Sequence, residues 1–143
     1  MSIIVVGINH KTAPISVREK VYFAEDKLGL YLQDLLAQSA AQEGVLLSTC
    51  NRSELYCETD NISAATDWFC SQTSLPRHEL EPVLYQYRDD EAIEHIMEVA
   101  CGLDSMVLGE PQILGQMKQA FSESCTAGAI GPLFYRLFQQ IFA

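Results

Sequence analysis

The sequence predicts an α+β fold in which a split βαβ sheet, with the order β-α-β-β-α-β, is followed by helices. Three observations predict it. Short β-branched or alternating segments are interleaved with leucine repeats at helical spacing up to residue 88. From Asp89 onward the apolar residues recur only at helical spacing. The 143 residues, of which 48% are hydrophobic, suffice for one ordinary core rather than two.

Four strands and the helices between them account for the first 88 residues. We predict strands at residues 3–8, 45–49, 53–59 and 83–87, and helices at 16–41 (in two pieces) and 61–70. This order is that of ferredoxin-like sheets, a topology that supports many unrelated functions. Successive residues of a strand face opposite sides of a sheet, so the third strand is predicted to be half-buried. Its core side would carry Leu55 and Cys57, and its solvent side Glu54, Tyr56 and Glu58.

Residues 89–143 are predicted to form a helical extension of the α/β sandwich of residues 1–88. A helix begins at Asp89 or Asp90 and ends at Gly102, with a buried stripe of Ile93, Ile96, Met97 and Ala100. Pro111 suits the first position of the next helix, whose buried residues are Ile113, Met117, Ala120 and Phe121. A last helix begins at Leu133 and stops in mid-pattern at Ala143, which predicts a chain cut from a longer one.

The charge balance argues against some classes of protein. Nine Lys and Arg against nineteen Asp and Glu give a net charge of −10, which is unfavourable for a domain that binds mainly to nucleic-acid phosphates. No apolar run approaches the length of a membrane span, and no basic segment opens the chain. No Cys-x-x-Cys spacing supports a structural metal site. We therefore expect a soluble, cytoplasmic protein without a metal.

Cys50 is the candidate nucleophile among five cysteines. It follows a predicted strand and precedes Asn51 and Arg52 in a sharp connection, where a positive charge favours the reactive thiolate. The odd count, without a secretory signal, argues against a disulfide framework. The remaining cysteines fall within or at the ends of apolar patterns, so we interpret them as small core residues. They are Cys57, Cys70, Cys101 and Cys125.

Two further features carry polar groups that could contact a ligand. His95 lies roughly 130° around its helix from the apolar stripe, so it is either an acid–base group in a cleft or a solvated histidine, and the pattern favours the second. The segment 104–112 is polar at intervals, and Gln112 and Gln116 share a helix face. Hydrogen bonding to a small polar ligand and ordinary helix capping explain this segment equally well.

Three segments of the chain resemble one family. Residues 7–14 (GINHKTAP), 46–56 (LLSTCNRSELY) and 102–116 (GLDSMVLGEPQILGQ) are similar, in this order, to the N-terminal catalytic domain of glutamyl-tRNA reductases. These segments span most of the chain. The resemblance implies an enzyme that reduces glutamyl-tRNA with NADPH to glutamate-1-semialdehyde, the first step of tetrapyrrole biosynthesis, through a cysteine thioester.

The resemblance also implies roles for particular residues. Cys50 would attack the activated ester and hold the glutamyl group, while Arg52 would pair with the side-chain carboxylate of the substrate. His95 would lie near the reacting ester. The residues that would frame the glutamyl group are Thr49, Asn51, Ser105, Glu110, Pro111, Gln112 and Gln116.

The family also implies parts that this chain does not contain. Its members continue into NADPH-binding and dimerisation domains, and no Gly-x-Gly-x-x-Gly occurs here, so NADPH and the homodimer contact are expected outside this chain. A downstream aminomutase is a further implied partner. Two other classes stay open. One is an amino-acid-binding regulatory module without catalysis, which would not need a reactive Cys50. The other is a cysteine hydrolase, for which only His95 offers a base.

Overall fold

The computed structural model describes residues 2–38, 40–103 and 112–143. Its strands are β1 (Ser2–Asn9), β2 (Glu43–Ser48), β3 (Arg52–Thr59) and β4 (Tyr85–Arg88). The helices are α1 (Ile15–Lys20), α2 (Leu28–Ala37), α3 (Ile62–Ser71), α4 (Arg77–Leu80), α5 (Asp90–Ala100), α6 (Ile113–Thr126) and α7 (Pro132–Phe142). Short 3₁₀ turns at Glu25–Lys27 and Glu81–Val83 precede α2 and β4.

The strands form one antiparallel sheet in the order β2-β3-β1-β4. The predicted α+β class, with four strands and a helical C-terminal part, is therefore confirmed. The fourth strand begins two residues later than predicted. Pro82 lies within the 3₁₀ turn that occupies residues 81–83, and proline lacks the N–H that a strand ladder uses.

Helices cover both faces of the sheet. On one face Ile4, Val6 and Leu55 pack with α2 and α3, and on the other Val5, Leu47 and Tyr56 pack with α5, α6 and α7. The prediction that β3 is half-buried is wrong, because all eight of its residues are buried. The C-terminal helices supply the second cover, so the polar side chains of β3 lie in the interior.

The buried face of α5 also differs from the predicted stripe. Met97 is 46% exposed, whereas Ala92, His95, Ile96 and Val99 are buried. The true face is rotated toward His95, so the interpretation of His95 as a solvated histidine is wrong. In α6 the predicted Phe121 is only half-buried, and Ser124 is buried instead, with its hydroxyl donating to the Ala120 carbonyl at 3.0 Å.

The five cysteines are all free thiols, but they do not share one environment. Cys57 and Cys70 are buried, as predicted for core residues. Cys101 and Cys125 are exposed, so the prediction is wrong for these two. Each lies at the C-terminal end of its helix, where the side chain leaves the packed face. Within the described ranges, no helix has the length and apolar content needed to cross a bilayer.

Burial of Cys57 predicts a loss of stability in alkali. Burial raises the pKa of its thiol to about 12, whereas an unfolded cysteine titrates near ~8.5. Above about pH 8.5 the unfolded chain therefore binds fewer protons than the folded chain, and the free energy of unfolding falls by up to about 1.4 kcal/mol per pH unit. Urea unfolding between pH 8 and 11 should show a steeper decline for the native sequence than for Cys57→Ala. Parallel pH dependences would contradict this assignment.

Candidate active site

A tight hairpin between β2 and β3 holds Cys50 at its tip. Thr49 N donates to the Arg52 carbonyl at 2.7 Å, which closes the turn over Cys50 and Asn51. The Thr49 hydroxyl oxygen accepts hydrogen bonds from Asn51 N at 3.1 Å and Arg52 N at 3.3 Å. The backbone of the turn is thereby fixed, and the Cys50 side chain is exposed.

Arg18 joins α1 to this turn. Its Nη1 donates to the Ala13 carbonyl at 2.8 Å, and its Nε donates to the Cys50 carbonyl at 3.3 Å. The guanidinium is thus held beside the backbone of the thiol-bearing residue.

A cavity of about 840 Å³ opens beside the turn, between α1, β2 and α6. Thr49, Cys50, Gln112 and Gln116 line it together, and so does Arg18. Residues far apart in the sequence therefore meet at one concave surface that contains a thiol, a guanidinium and two amides. Such a surface can hold a small polar ligand against the sulfur atom.

A second group of polar side chains is buried around Glu54, on the face of β3 that packs against α5. Tyr56 Oη donates to Glu54 Oε1 at 2.5 Å. Glu54 Oε2 accepts hydrogen bonds from the Tyr85 hydroxyl and from His95 Nε2. Arg52 Nη1 lies 3.7 Å from the same oxygen. We call these five residues, Arg52, Glu54, Tyr56, Tyr85 and His95, the Glu54 cluster.

Gly7 makes room for this cluster. It pairs with Glu54 on one side and with Tyr85 on the other. A Cβ atom at residue 7 would lie 2.5 Å from the Ser53 carbonyl oxygen and 2.8 Å from Glu54 Cγ. Any residue with a Cβ atom would fill the space through which the Glu54 side chain extends toward Tyr85.

The charges in the cluster favour an ionised Glu54. Burial alone raises the pKa of this carboxyl, but the hydrogen bond from His95 and the positive charges of His95 and Arg52 outweigh it, so the pKa lies below its ordinary value. Burial, together with the adjacent Glu54 charge, raises the pKa of Tyr56 well above its ordinary value. Tyr56 therefore remains a hydrogen-bond donor at neutral pH.

His95 is fixed in orientation by this arrangement. Its Nε2 faces Glu54, and its ring lies 4.7 Å from the ring of Tyr87 and 5.6 Å from that of Tyr85, measured between centroids. With Nε2 engaged by the carboxylate, Nδ1 is the ring nitrogen left for other contacts. His95 is not among the residues that line the cavity beside Cys50.

The structure places the predicted site residues that it describes in two regions. Thr49, Cys50, Gln112 and Gln116 line the cavity, and Asn51 shares the hairpin tip. Arg52 and His95 belong to the buried Glu54 cluster. Three predicted residues, Ser105, Glu110 and Pro111, lie outside the described residues, and so does most of the polar segment 104–112.

The sequence pattern assigns no role to Glu54 or Tyr85. Arg52, Glu54 and Tyr56 recur at every second position of a strand, a spacing that places them on one face. The same spacing is typical of a solvent-facing strand, and only the helices that cover it distinguish the two cases. No group of three or more His, Cys, Asp or Glu side chains in the described part of the chain could hold a metal ion.

Taken together, these features define an α+β domain that presents an accessible thiol at the edge of a polar ligand cavity. The chain belongs to the family described as "Glutamyl-tRNAGlu reductase, N-terminal domain", whose sequence model matches residues 6–143.

Relatives and a solved structure agree with this assignment. The chain is 50% identical over 147 aligned residues to a glutamyl-tRNA reductase of Colwellia psychrerythraea, covering 99% of this chain and 35% of the relative. It is 45% identical over 143 residues to one of Shewanella piezotolerans, covering 100% of this chain and 34% of the relative. The structure of a glutamyl-tRNA reductase from Methanopyrus kandleri matches with a TM-score of 0.75 at 29% identity, over 98% of this chain and 32% of that one. The chain therefore spans about a third of the length of these relatives.

Proposed function

We propose that this chain is the part of a glutamyl-tRNA reductase that binds the glutamyl group and carries the nucleophile. In this proposal the Cys50 thiolate takes the glutamyl group from glutamyl-tRNA as a thioester. Reduction of that thioester with NADPH then releases glutamate-1-semialdehyde, the first step of tetrapyrrole biosynthesis. The names of the relatives support the overall reaction.

The observation that carries the proposal is the placement of Cys50. Its exposed thiol lies at a fixed hairpin tip, at the edge of a cavity that also contains Gln112 and Gln116. In the transfer step a bond forms between Cys50 Sγ and the ester carbonyl carbon, and the bond between that carbon and the ribose oxygen of the tRNA breaks. The ribose oxygen leaves as a hydroxyl group and takes up the proton that the Cys50 thiol loses. Amide side chains suit the carbonyl and amino groups of the glutamyl moiety.

The described residues do not fit a dinucleotide. All strand pairs among them are antiparallel, whereas the pyrophosphate of NADPH binds at the turn between a parallel strand and its crossover helix. Hydride transfer to the thioester therefore requires a donor held by other residues. We propose that a domain outside this chain supplies NADPH to the thioester.

Arg52 begins β3 two residues after Cys50, and the Glu54 cluster joins Arg52 to His95. We propose that Arg52, two residues after Cys50, pairs with the side-chain carboxylate of the substrate. His95 would contact the reacting ester through Nδ1, because its Nε2 is engaged by Glu54. Asn51 and Thr49 shape the turn between these groups, and Ser105, Glu110 and Pro111 remain proposed contacts of the glutamyl group.

The test is covalent capture of the glutamyl group. After mixing the chain with glutamyl-tRNA, intact-mass analysis should show one added glutamyl residue, and peptide mapping should place it on Cys50. Cys50→Ser should reduce this adduct below detection, because an unactivated hydroxyl is a far weaker nucleophile than a thiolate. Cys101→Ser is the matched control, since Cys101 is also exposed but lies at the end of α5.

Two outcomes would contradict the proposal. An adduct that persists in Cys50→Ser would place the nucleophile elsewhere. Binding of glutamyl-tRNA without any adduct would favour an amino-acid-binding module. Release of free glutamate from wild-type chain without NADPH is compatible with the thioester, because water can hydrolyse it.

The remaining expectations extend this proposal to the whole protein. We propose that the sheet is a split βαβ sheet, since one group of helices joins β1 to β2 and another joins β3 to β4. Residues 1–88 and 89–143 would form one catalytic unit, because both contribute to the core beneath β3. A homodimer, a downstream aminomutase as partner and a cytoplasmic location follow from the family resemblance.

A further inference from the structure

Residues 9–13 form a tight turn at the end of β1, in a segment to which the proposed function assigns no role. The Asn9 carbonyl accepts hydrogen bonds from Thr12 N at 3.1 Å and Ala13 N at 2.9 Å. The Thr12 hydroxyl oxygen accepts a hydrogen bond from Asn9 N at 3.1 Å. Asn9 and Ala13 are both buried, so this turn is a fixed part of the fold against which a neighbouring side chain can be held.

Arg18 bridges this turn and the tip of the β2–β3 hairpin. Its Nη1 donates to the Ala13 carbonyl at 2.8 Å, and its Nε donates to the Cys50 carbonyl at 3.3 Å. One planar guanidinium thus holds carbonyl groups from two distant parts of the chain. Arginine can do this because its N–H groups lie on separate nitrogen atoms in a rigid plane, whereas all donors of lysine lie on a single nitrogen.

The carbonyl that Arg18 holds belongs to the peptide group that joins Cys50 to Asn51. The N–H of the same peptide group, on Asn51, donates to Thr49 Oγ1 at 3.1 Å. Arg18 and Thr49 therefore hold opposite sides of one peptide plane. Without Arg18, the hydrogen bond to Thr49 would hold only one side of it. Rotation of this plane changes the backbone angle at Cys50 and so moves the sulfur atom.

We propose that Arg18 is a positioning residue for Cys50, which aligns the sulfur with the ester carbonyl without contacting the substrate. This inference rests on the proposed function, in which Cys50 attacks that carbonyl. Fast attack requires reacting atoms about 3–3.5 Å apart and aligned, and a misplacement of about 1 Å can cost on the order of 100-fold in rate. Because the alignment depends on two hydrogen bonds from separate nitrogen atoms, the positive charge of Arg18 is not sufficient for it.

The test separates the rate of acylation from the binding of the ester. Acylation of Cys50 by glutamyl-tRNA is followed by intact mass over a range of glutamyl-tRNA concentrations. Arg18→Lys and Arg18→Ala should each lower the limiting rate by roughly 10- to 100-fold. Both should leave the half-saturating concentration within about twofold of wild type, because Arg18 does not bind the substrate in this proposal. Lysine keeps the charge, so a loss in both variants is the result that a positioning role requires.

Two controls accompany these variants. Alkylation of Cys50 by iodoacetamide, located by peptide mapping, should stay within about twofold of wild type, because a small reagent reaches an exposed thiol without a fixed alignment. Lys20→Ala removes a positive charge from the same helix, at a residue that is not among those lining the cavity. It should change neither the acylation rate nor the alkylation rate.

Three results would overturn the positioning role and leave Cys50 as the nucleophile. A raised half-saturating concentration with an unchanged limiting rate would make Arg18 a substrate contact. Equal losses of acylation and alkylation would mean that Arg18 acts on the reactivity of the thiol rather than on its position. Wild-type acylation by Arg18→Lys would mean that a charge at this position suffices. Absence of a Cys50 adduct in the wild-type chain would instead overturn the proposed function, and this inference with it.

Discussion

Replacing Glu54 with alanine is expected to destabilise the fold by about 3–5 kcal/mol, the usual cost of breaking a buried ion pair. Glu54 is fully buried and is bonded to Tyr56, Tyr85 and His95, with Arg52 3.7 Å away. Alanine would leave the Arg52 charge in the interior without this counter-charge and remove the acceptor from three donors. The free energy of unfolding in urea at pH 7 measures the effect.

Two glutamine variants, Glu54→Gln and Glu58→Gln, distinguish the effect of the carboxylate charge on stability from the effect of side-chain size. Glu54→Gln keeps one acceptor oxygen and the side-chain length, so its loss of stability should be smaller than that of alanine. Glu58 lies on the same strand, but burial and the facing Glu43 raise the pKa of its carboxyl. Its charge is therefore unfavourable, and Glu58→Gln should be neutral or stabilising at pH 7. A Glu54→Ala variant within about 1 kcal/mol of wild type would show that the cluster does not depend on this carboxylate.

The low pKa of Glu54 also sets the sign of its pH dependence. An unfolded glutamate titrates near ~4.3, and the folded carboxyl titrates below its ordinary value. The stabilisation by ionised Glu54 is therefore complete above roughly pH 5 and is lost as the pH falls through the folded pKa. The free energy of unfolding of Glu54→Gln should therefore fall less than that of the wild type as the pH is lowered below about 5.

The strands were predictable because their signals are local. The β-branched run of β1 and the alternation of β3 place both strands to within one residue of their observed bounds. The fourth strand is placed less well because a proline turn precedes it. The burial of the residues that follow Cys50 is not predictable in this way, since it depends on which helices cover the sheet.

The Glu54 cluster shows why the sequence does not predict that the second face of β3 is buried. Polar residues at every second position of β3 predict a solvated face, yet Glu54 and Tyr56 are buried because they bond to each other and to residues of β4 and α5. The same contact explains why the buried face of α5 includes His95 and leaves Met97 half-exposed. The spacing of hydrophobic residues in a helix does not predict that a histidine is buried when the cause is a hydrogen bond to a carboxylate on a strand.

The candidate nucleophile, by contrast, could be located from sequence, but its surroundings could not. Cys50 is distinguished by its place after a strand and by the family motif, and the structure leaves its thiol exposed. The sequence favours Arg52 as the source of the nearby positive charge. The structure instead places Arg18, from a helix 32 residues earlier, against the Cys50 carbonyl. A contact over that separation has no local signal.

Arg18 and Arg52 both lie next to the Cys50 turn, and under the proposed function we expect Arg52 to bind the side-chain carboxylate of the substrate. Cys50 and Arg52 are two residues apart in the closed turn between β2 and β3, so the same backbone hydrogen bonds fix the positions of both residues. Arg52 is also buried, with Nη1 3.7 Å from Glu54 Oε2, so a substrate carboxylate bound to its planar fork would meet little competition from water.

Arg52→Lys should consequently reduce the preference for glutamyl over glutaminyl esters by roughly 10- to 150-fold, the equivalent of about 1.5–3 kcal/mol for a hydrogen bond to a charged group. Lysine keeps the charge but cannot form two parallel hydrogen bonds with a carboxylate. Arg18→Lys is the matched control: it retains a cation at the cavity wall and should change this preference only a few-fold. The measurement is the ratio of the Cys50 acylation rates with the two esters. If Arg18→Lys lost the preference and Arg52→Lys kept it, the carboxylate would be read from the cavity wall, and the role of Arg52 would be confined to the buried pair with Glu54.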